Sequence, residues 1–224
     1  MEIKRDFIFD PSLVLYLPLY ELDGGAFKSK DAHGHLCTVT GALWRPDGRY
    51  FDGTDDEIDC GDISEFNSVS ALTVEGWFKQ TTIDVNADIW VKRVDAVNRI
   101  ALQTQTNGNM YCYLANAAEM HGSLDYSAVI SSGVFFHGVF VFDGSLIGNA
   151  NRLKMFVDTV SQTLDFGAFT VPATTADLSG ASFKLGQFIT NDFDGTIGEI
   201  RVYSRALTPL EIQHNYLATQ WRYR

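Results

Sequence analysis

Long apolar runs are missing from this chain. No window approaches 18 uninterrupted apolar residues, so no segment has the make-up of a bilayer-spanning helix. Cationic residues are scarce too: 17 Lys and Arg face 28 Asp and Glu, a formal charge of −11. Nucleic acids and anionic membranes are recognised by clustered Lys and Arg, so neither is an expected partner. Only three cysteines occur, Cys37, Cys60 and Cys112, widely spaced and without a Cys-x-x-Cys pair. They form no zinc signature and allow at most one disulfide, so the fold is not expected to depend on cross-links. Proline is 5 of 224 residues and no Ser, Gly or Pro tract exceeds a turn. Nothing therefore reads as a linker, and one domain over residues 1–224 is expected. The opening Met1 to Asp10 lacks the apolar core and small-residue cleavage site of a secretory signal. A Gly-x-Ser-x-Gly elbow, a phosphate loop and a His-Glu-x-x-His helix are also absent.

What is present is enough apolar material for a full core, 46% of residues, which excludes intrinsic disorder. Short apolar or aromatic runs alternate with turn signals, the pattern of an all-β sandwich or barrel. The runs predict strands over 13–19, 71–80, 88–93, 100–106, 110–116, 135–143, 153–158, 182–188 and 196–204. Breaks fall at Asp23-Gly24-Gly25, Asp47-Gly48, Asn107-Gly108-Asn109 and Asp143-Gly144, where Gly and Asn tolerate positive φ. Phe-Asp-Gly recurs at 51–53, 142–144 and 193–195 without a fixed period, so it marks strand-edge turns and not duplicated modules. One helix is signalled near the C-terminus. Thr208 is its N-cap, Pro209 takes the first helical position, Glu211 completes a capping box, and Leu210, Ile212 and Tyr216 supply an apolar side.

A three-residue loop at Asn107-Gly108-Asn109 pairs Thr106 with Met110, Thr104 with Cys112 and Leu102 with Leu114. That register sends Leu102, Thr104, Cys112 and Leu114 inward, and Gln103, Gln105, Tyr111 and Tyr113 outward. Glu75, Trp77 and Lys79 alternate away from Leu72, Val74 and Phe78 in the same manner. Glu75, Trp77, Gln103, Gln105, Tyr111 and Tyr113 together have the composition of a carbohydrate-binding surface. Sugars offer apolar C–H faces to aromatic rings and hydroxyls to amides and carboxylates. Trp44 and Trp90 read as packing at or between the sheets, and His137 and His214 as strand-edge and helix-surface residues. Asp31-x-His33-x-His35 has the period-2 spacing of three metal ligands on one strand face, although Gly34 suits a surface turn. The tail Tyr216 to Arg224, aromatic and basic on an acidic protein, is a candidate for docking a partner subunit.

Six segments carry a family resemblance: Asp-Ala-His-Gly-His (31–35), Tyr-Phe-Asp-Gly-Thr-Asp-Asp-Glu-Ile (50–58), Leu-Thr-Val-Glu-Gly-Trp-Phe-Lys (72–79), Phe-His-Gly-Val-Phe-Val-Phe-Asp-Gly (136–144), Leu-Lys-Met-Phe-Val-Asp (153–158) and 193–208. In this order they resemble the laminin-G-like branch of the concanavalin A-like lectin/glucanase superfamily, from Leu13 to Tyr216. The resemblance implies an all-β fold, a two-sheet antiparallel jelly-roll sandwich with one short C-terminal helix. In the related pentraxins a Leu-Gly-Gln stretch leads into acidic calcium ligands; here Leu185-Gly186-Gln187 runs into Phe188-Ile189-Thr190, with Asn191, Asp192 and Asp95 displaced. A structural calcium would find oxygens at Asp31, the Gly34 carbonyl and Glu199, but Gly198 stands where many relatives carry Asp. Glu57-Ile-Asp59-Cys-Gly-Asp62 resembles the Glu-x-Asp-x-x-Glu strand of retaining glucanases, with its last acid shortened.

The expected role is a non-catalytic, lectin-like binding or structural module for a glycan or cell-surface polysaccharide. Lacking a visible signal and a fused enzyme, it is expected on a virion surface or outside the cell, as a decoration or adhesion protein contacting other particle subunits. The rival expectation is a glycoside hydrolase using Glu57, Asp59 and Asp62.

Overall fold

Alternating apolar and polar residues close into two antiparallel sheets. The computed structural model describes residues 6–83, 85–187, 189 and 191–224. Its strands are β1 (Leu13–Leu17), β2 (Ala26–Lys28), β3 (Leu36–Thr40), β4 (Leu43–Arg45), β5 (Gly48–Asp52), β6 (Glu57–Asp59), β7 (Ala71–Gln80) and β8 (Ala87–Asp95). The second half carries β9 (Asn98–Thr104), β10 (Asn109–Asn116), β11 (His121–Asp125), β12 (Phe136–Asp143), β13 (Leu153–Val157), β14 (Val160–Gln162), β15 (Phe183–Leu185) and β16 (Asp194–Tyr203). The first sheet is ordered β14-β13-β12-β7-β16-β5-β4, with β1 also paired to β16; the second is β11-β10-β9-β8-β15-β6-β3-β2. This is the expected jelly-roll sandwich. Among the described residues its α-helices are a single turn, α1 (Asn149–Arg152), and the C-terminal α2 (Pro209–Thr219), beside three short 3-10 turns.

The core lies between the sheets. Leu72, Val74 and Phe78 of β7 and Phe140 and Phe142 of β12 join Trp90, Leu102, Cys112 and Leu114 of the second sheet in one buried cluster. Trp90 meets Phe140 edge-on, ring centroids 5.3 Å apart, the arrangement that aligns a ring's positive edge with a negative face. All three cysteines are buried free thiols. Trp44 stays at the surface, its Nε1–H donated to the Tyr20 carbonyl at 3.1 Å.

All nine predicted strands form, β7 at its predicted bounds and the other eight with shifted ends. The run 182–188 shrinks to β15, and Phe188 lies outside the described residues. The strands passed over, β2 to β6, β11 and β14, are three to five residues long, too short for alternation to stand out. The β9–β10 hairpin has the predicted faces and a three-residue loop, but its register is shifted by two residues: Met110 pairs with Thr104, Tyr111 with Gln103 and Cys112 with Leu102. The loop is Thr106-Asn107-Gly108, closed by Gln105 N–H donating to the Asn109 carbonyl at 2.9 Å. Gly108 sits at φ +76°, the left-handed residue that ends a three-residue hairpin loop. A two-residue slip preserves strand parity, so hydrophobic sorting alone does not separate the two registers.

The capping box of α2 is present, with Thr208 N–H donating to Glu211 Oε2 at 2.7 Å and Glu211 N–H to Thr208 Oγ1 at 3.4 Å. Its packed side differs from expectation. Leu210 points to solvent at 77% exposure, while Ile212, Asn215, Ala218 and Thr219 are buried.

Candidate functional site

β7 lies in the middle of the first sheet, and α2 with the residues after it covers the outer face. Glu75 and Trp77 are consequently 0% exposed and cannot contribute to a ligand surface, which corrects the expectation for both. Trp77 stacks on Tyr216 and Tyr223, with centroids 5.3 and 4.7 Å away, and donates Nε1–H to Thr219 Oγ1 at 2.9 Å. Two aromatics of the tail expected to dock a partner thus dock on the chain's own sheet. Arg224 pairs with Asp158, and Trp221 is exposed.

A buried ionic cluster lies beside Trp77. Glu75 Oε1 is 3.1 Å from Arg201 Nε and accepts from Asn215 Nδ2 at 2.8 Å and Tyr203 Oη at 3.2 Å; Arg201 also pairs with Glu199 at 2.8 Å. Burial opposes the Arg201 charge, but Glu75 and Glu199 outweigh it and raise its pKa. Burial likewise raises the Glu75 carboxyl, with Arg201 opposing. His137 is buried, not a strand-edge residue. Burial and then Arg201 push its imidazole well below the ordinary value, so its 3.6 Å approach to Glu75 is a contact of a neutral ring and not an ion pair. A concavity of about 470 Å³ opens next to α2, and its rim Arg205 is neutralised by Asp10 and Glu211.

Among the described residues no helix lies on the outer face of the second sheet. There the register brings Gln103, Tyr111 and Tyr113 together with Asp88, Arg99 and His121. Gln105 follows β9 and donates Nε2–H to Gln103 Oε1 at 2.6 Å. Exposure is uneven. Gln103 and Tyr113 are each 5% exposed, Tyr113 beneath the Arg99 guanidinium at 3.6 Å, whereas Gln105 and Tyr111 are half-buried. His121 stacks on Tyr111 with centroids 4.2 Å apart and rings nearly parallel. The six proposed ligand residues therefore divide between two sheets, and only Gln105 and Tyr111 remain half open.

Asp88 faces Gln103 across the β8–β9 ladder. Burial pushes its carboxyl up to about 7, against a hydrogen bond from Asn191 Nδ2 at 3.3 Å and the charges of Arg99 and Arg93. Asp88 is itself only 5% exposed, so it lies beneath the outer face and not on its surface. Strand alternation alone would send Asp88 inward with Trp90; the bulge between Asp88 and Trp90 turns it outward. That bulge, together with the pairing of β10 with β11 that delivers His121, is a tertiary feature with no signal in local pattern.

The glucanase-like acids form ion pairs. Lys184 Nζ lies 2.7 Å from Glu57 and 3.7 Å from Asp59, and Asp59 Oδ1 accepts from Gly61 N at 2.8 Å. Asp62 turns to Lys92, whose hydrogen bond holds its carboxyl below the ordinary range, and accepts from Gly180 N at 2.7 Å. A general acid in a glycosidase needs the opposite, a carboxyl kept protonated by its surroundings.

The proposed calcium ligands are committed as well. Asp31 accepts from the backbone N–H groups of Tyr16 at 2.8 Å, His33 at 2.8 Å and Gly34 at 3.2 Å, closing its own turn. Glu199 neutralises Arg201. His33 and His35 stack with centroids 5.5 Å apart. Asp95 closes the β8–β9 turn on Val97 N–H, and Asp192 accepts from Gln187 at 2.6 Å. Among the described residues Asp52, Asp55 and Asp56 bring three carboxylate oxygens within 4.8 Å of one another, fewer than the roughly six to eight oxygens calcium takes.

Residues 52–213 match a laminin-G-type family model described as the concanavalin A-like lectin/glucanases superfamily. The chain belongs to this superfamily. No curated protein matches it in sequence. Solved structures share its fold at low identity. Domain 4 of AbnA, a GH43 extracellular arabinanase from Geobacillus stearothermophilus solved with arabinotriose, is 19% identical at TM-score 0.62, covering 93% of this chain and 98% of that one. The ligand binding domain of botulinum neurotoxin serotype D, solved with N-acetylneuraminic acid, is 14% identical at TM-score 0.69, covering 93% and 51%. Trypanosoma rangeli sialidase, solved with sialic acid, is 15% identical at TM-score 0.63, covering 94% and 33%. This superfamily member therefore spans a third of the sialidase chain and about half of the toxin domain.

Proposed function

We propose that the chain is a non-catalytic carbohydrate-binding module whose ligand lies on the outer face of the second sheet. One observation carries this reading: the chain covers one outer face with its own helix, whereas on the other Gln105 and Tyr111 stay half-exposed above buried Gln103, Tyr113 and Asp88. Saccharide complexes of fold relatives support it, arabinotriose in one and N-acetylneuraminic acid in another. Such a module acts where polysaccharide is displayed, at an extracellular or virion surface.

Glycan-array screening of the chain, followed by calorimetry and a reducing-sugar assay, tests this function. Binding without turnover is expected, and Tyr111→Ala should weaken it tenfold or more, about 1.4 kcal/mol. Unchanged affinity in that variant would remove the open face as the site. Turnover abolished by Glu57→Gln would replace the module with a glycosidase.

A further inference from the structure

The open face continues past Tyr111 into a notch at the end of the β9–β10 hairpin. In register, Tyr111 pairs with Ser123, and the next outward pair is Asn109 with Asp125. Beyond them the loop Thr106-Asn107-Gly108 and Ser127 complete a shallow, polar-lined concavity of about 420 Å³. The backbone is firmly set: Tyr126 N–H donates to the Gly108 carbonyl at 3.1 Å, and Asn107 Oδ1 accepts from Asn109 N–H at 3.1 Å. Asn107 Nδ2 also donates to Tyr111 Oη at 3.2 Å, joining the notch to the ring beside it. Asp125 Oδ1 accepts from Ser127 Oγ at 2.7 Å. Among the described residues, Asp125 Oδ2 and the side chains of Thr106 and Asn109 make no hydrogen bond within the protein.

We infer that this notch is the subsite for a terminal residue of a neutral glycan; the inference rests on the carbohydrate-binding reading and narrows its ligand class. The lining supplies amides, hydroxyls and one carboxylate, the mixed donors and acceptors that vicinal hydroxyls satisfy. The same lining excludes an acidic sugar. Anion recognition draws on Arg, Lys or converging N–H groups, and the notch has no cation. Arg99, farther along the same outer face, is engaged with Glu119 and lies over Tyr113. Asp125 and the chain's charge of −11 add repulsion.

The test is an array carrying arabinotriose, other neutral oligosaccharides and glycans ending in N-acetylneuraminic acid, followed by calorimetry on the best-bound glycan. Neutral glycans should dominate, and Asp125→Ala and Asn109→Ala, each confirmed folded by thermal unfolding, should each weaken binding about tenfold. Preference for the sialylated glycans would overturn the inference while leaving carbohydrate binding intact. Unchanged affinity in both notch variants, with affinity lost in Tyr111→Ala, would place the ligand on the sheet face and reject the subsite. Binding to no glycan at all would take the functional reading down with it.

Discussion

Trp77 in the first sheet and Tyr111 in the second occupy outward positions in strands with the same polar and aromatic alternation. Trp77 is wholly buried, and Tyr111 is half-buried. The difference comes from α2, which lies across one sheet and turns its surroundings dry. Beneath it charges must be neutralised by other charges, as Glu75 and Glu199 are by Arg201; on the other sheet water shares that work. A polar face is a binding surface only when nothing in the chain needs it as a floor.

Replacing a cation on each face gives the largest expected contrast. Arg201→Met leaves two carboxylates buried without their partner and should cost about 3–5 kcal/mol. Arg99→Met on the open face, where the ion pair to Glu119 is long at 3.7 Å, should cost under about 1 kcal/mol. Urea unfolding of both variants makes the measurement, and equal losses would erase the distinction between the faces.

The second prediction concerns Asp88. Its folded pKa of about 7 exceeds the ordinary 3.8, so between those values the folded chain holds a proton that the unfolded chain releases. Stability from this group is complete below about pH 4 and falls as pH rises towards 7, by up to about 1.4 kcal/mol per pH unit. Asp88→Asn should flatten that decline, which denaturation at pH 5 and pH 7.5 would reveal. A parallel pH dependence in both proteins would mean that Asp88 is as solvated as an ordinary surface carboxylate.

The smallest effect belongs to the cover itself. Thr208→Ala removes one side of the capping box and should cost about 1 kcal/mol. Hydrogen exchange should then quicken in α2 while β10 is unchanged; equal quickening in β10 would couple the two faces.

Much of the fold was legible because it rests on local periodicity. The run 71–80 alternates cleanly and became β7 at those bounds, and Thr208, Pro209 and Glu211 marked the start of α2. The candidate site was less legible, for three physical reasons. Asn215 and Thr219 are polar, so nothing in their pattern announces that they pack on Glu75 and Trp77. Asp88 owes its direction to a bulge, which reverses parity without altering composition. The hairpin slipped by two residues, leaving the faces right while moving Tyr111 opposite Gln103 and bringing Asn109 into the ladder's end beside Asp125.

The first and last described segments share one side of the molecule. β1 lies beside β16, Phe7 and Leu13 join Leu207 and Ile212 in an apolar cluster, and Arg224 reaches Asp158 on the same helix-covered sheet. A tether at either end therefore leaves from behind the exposed surface. On the carbohydrate-binding reading, copies joined there would present the same face away from their attachment, and individually weak contacts would sum by avidity.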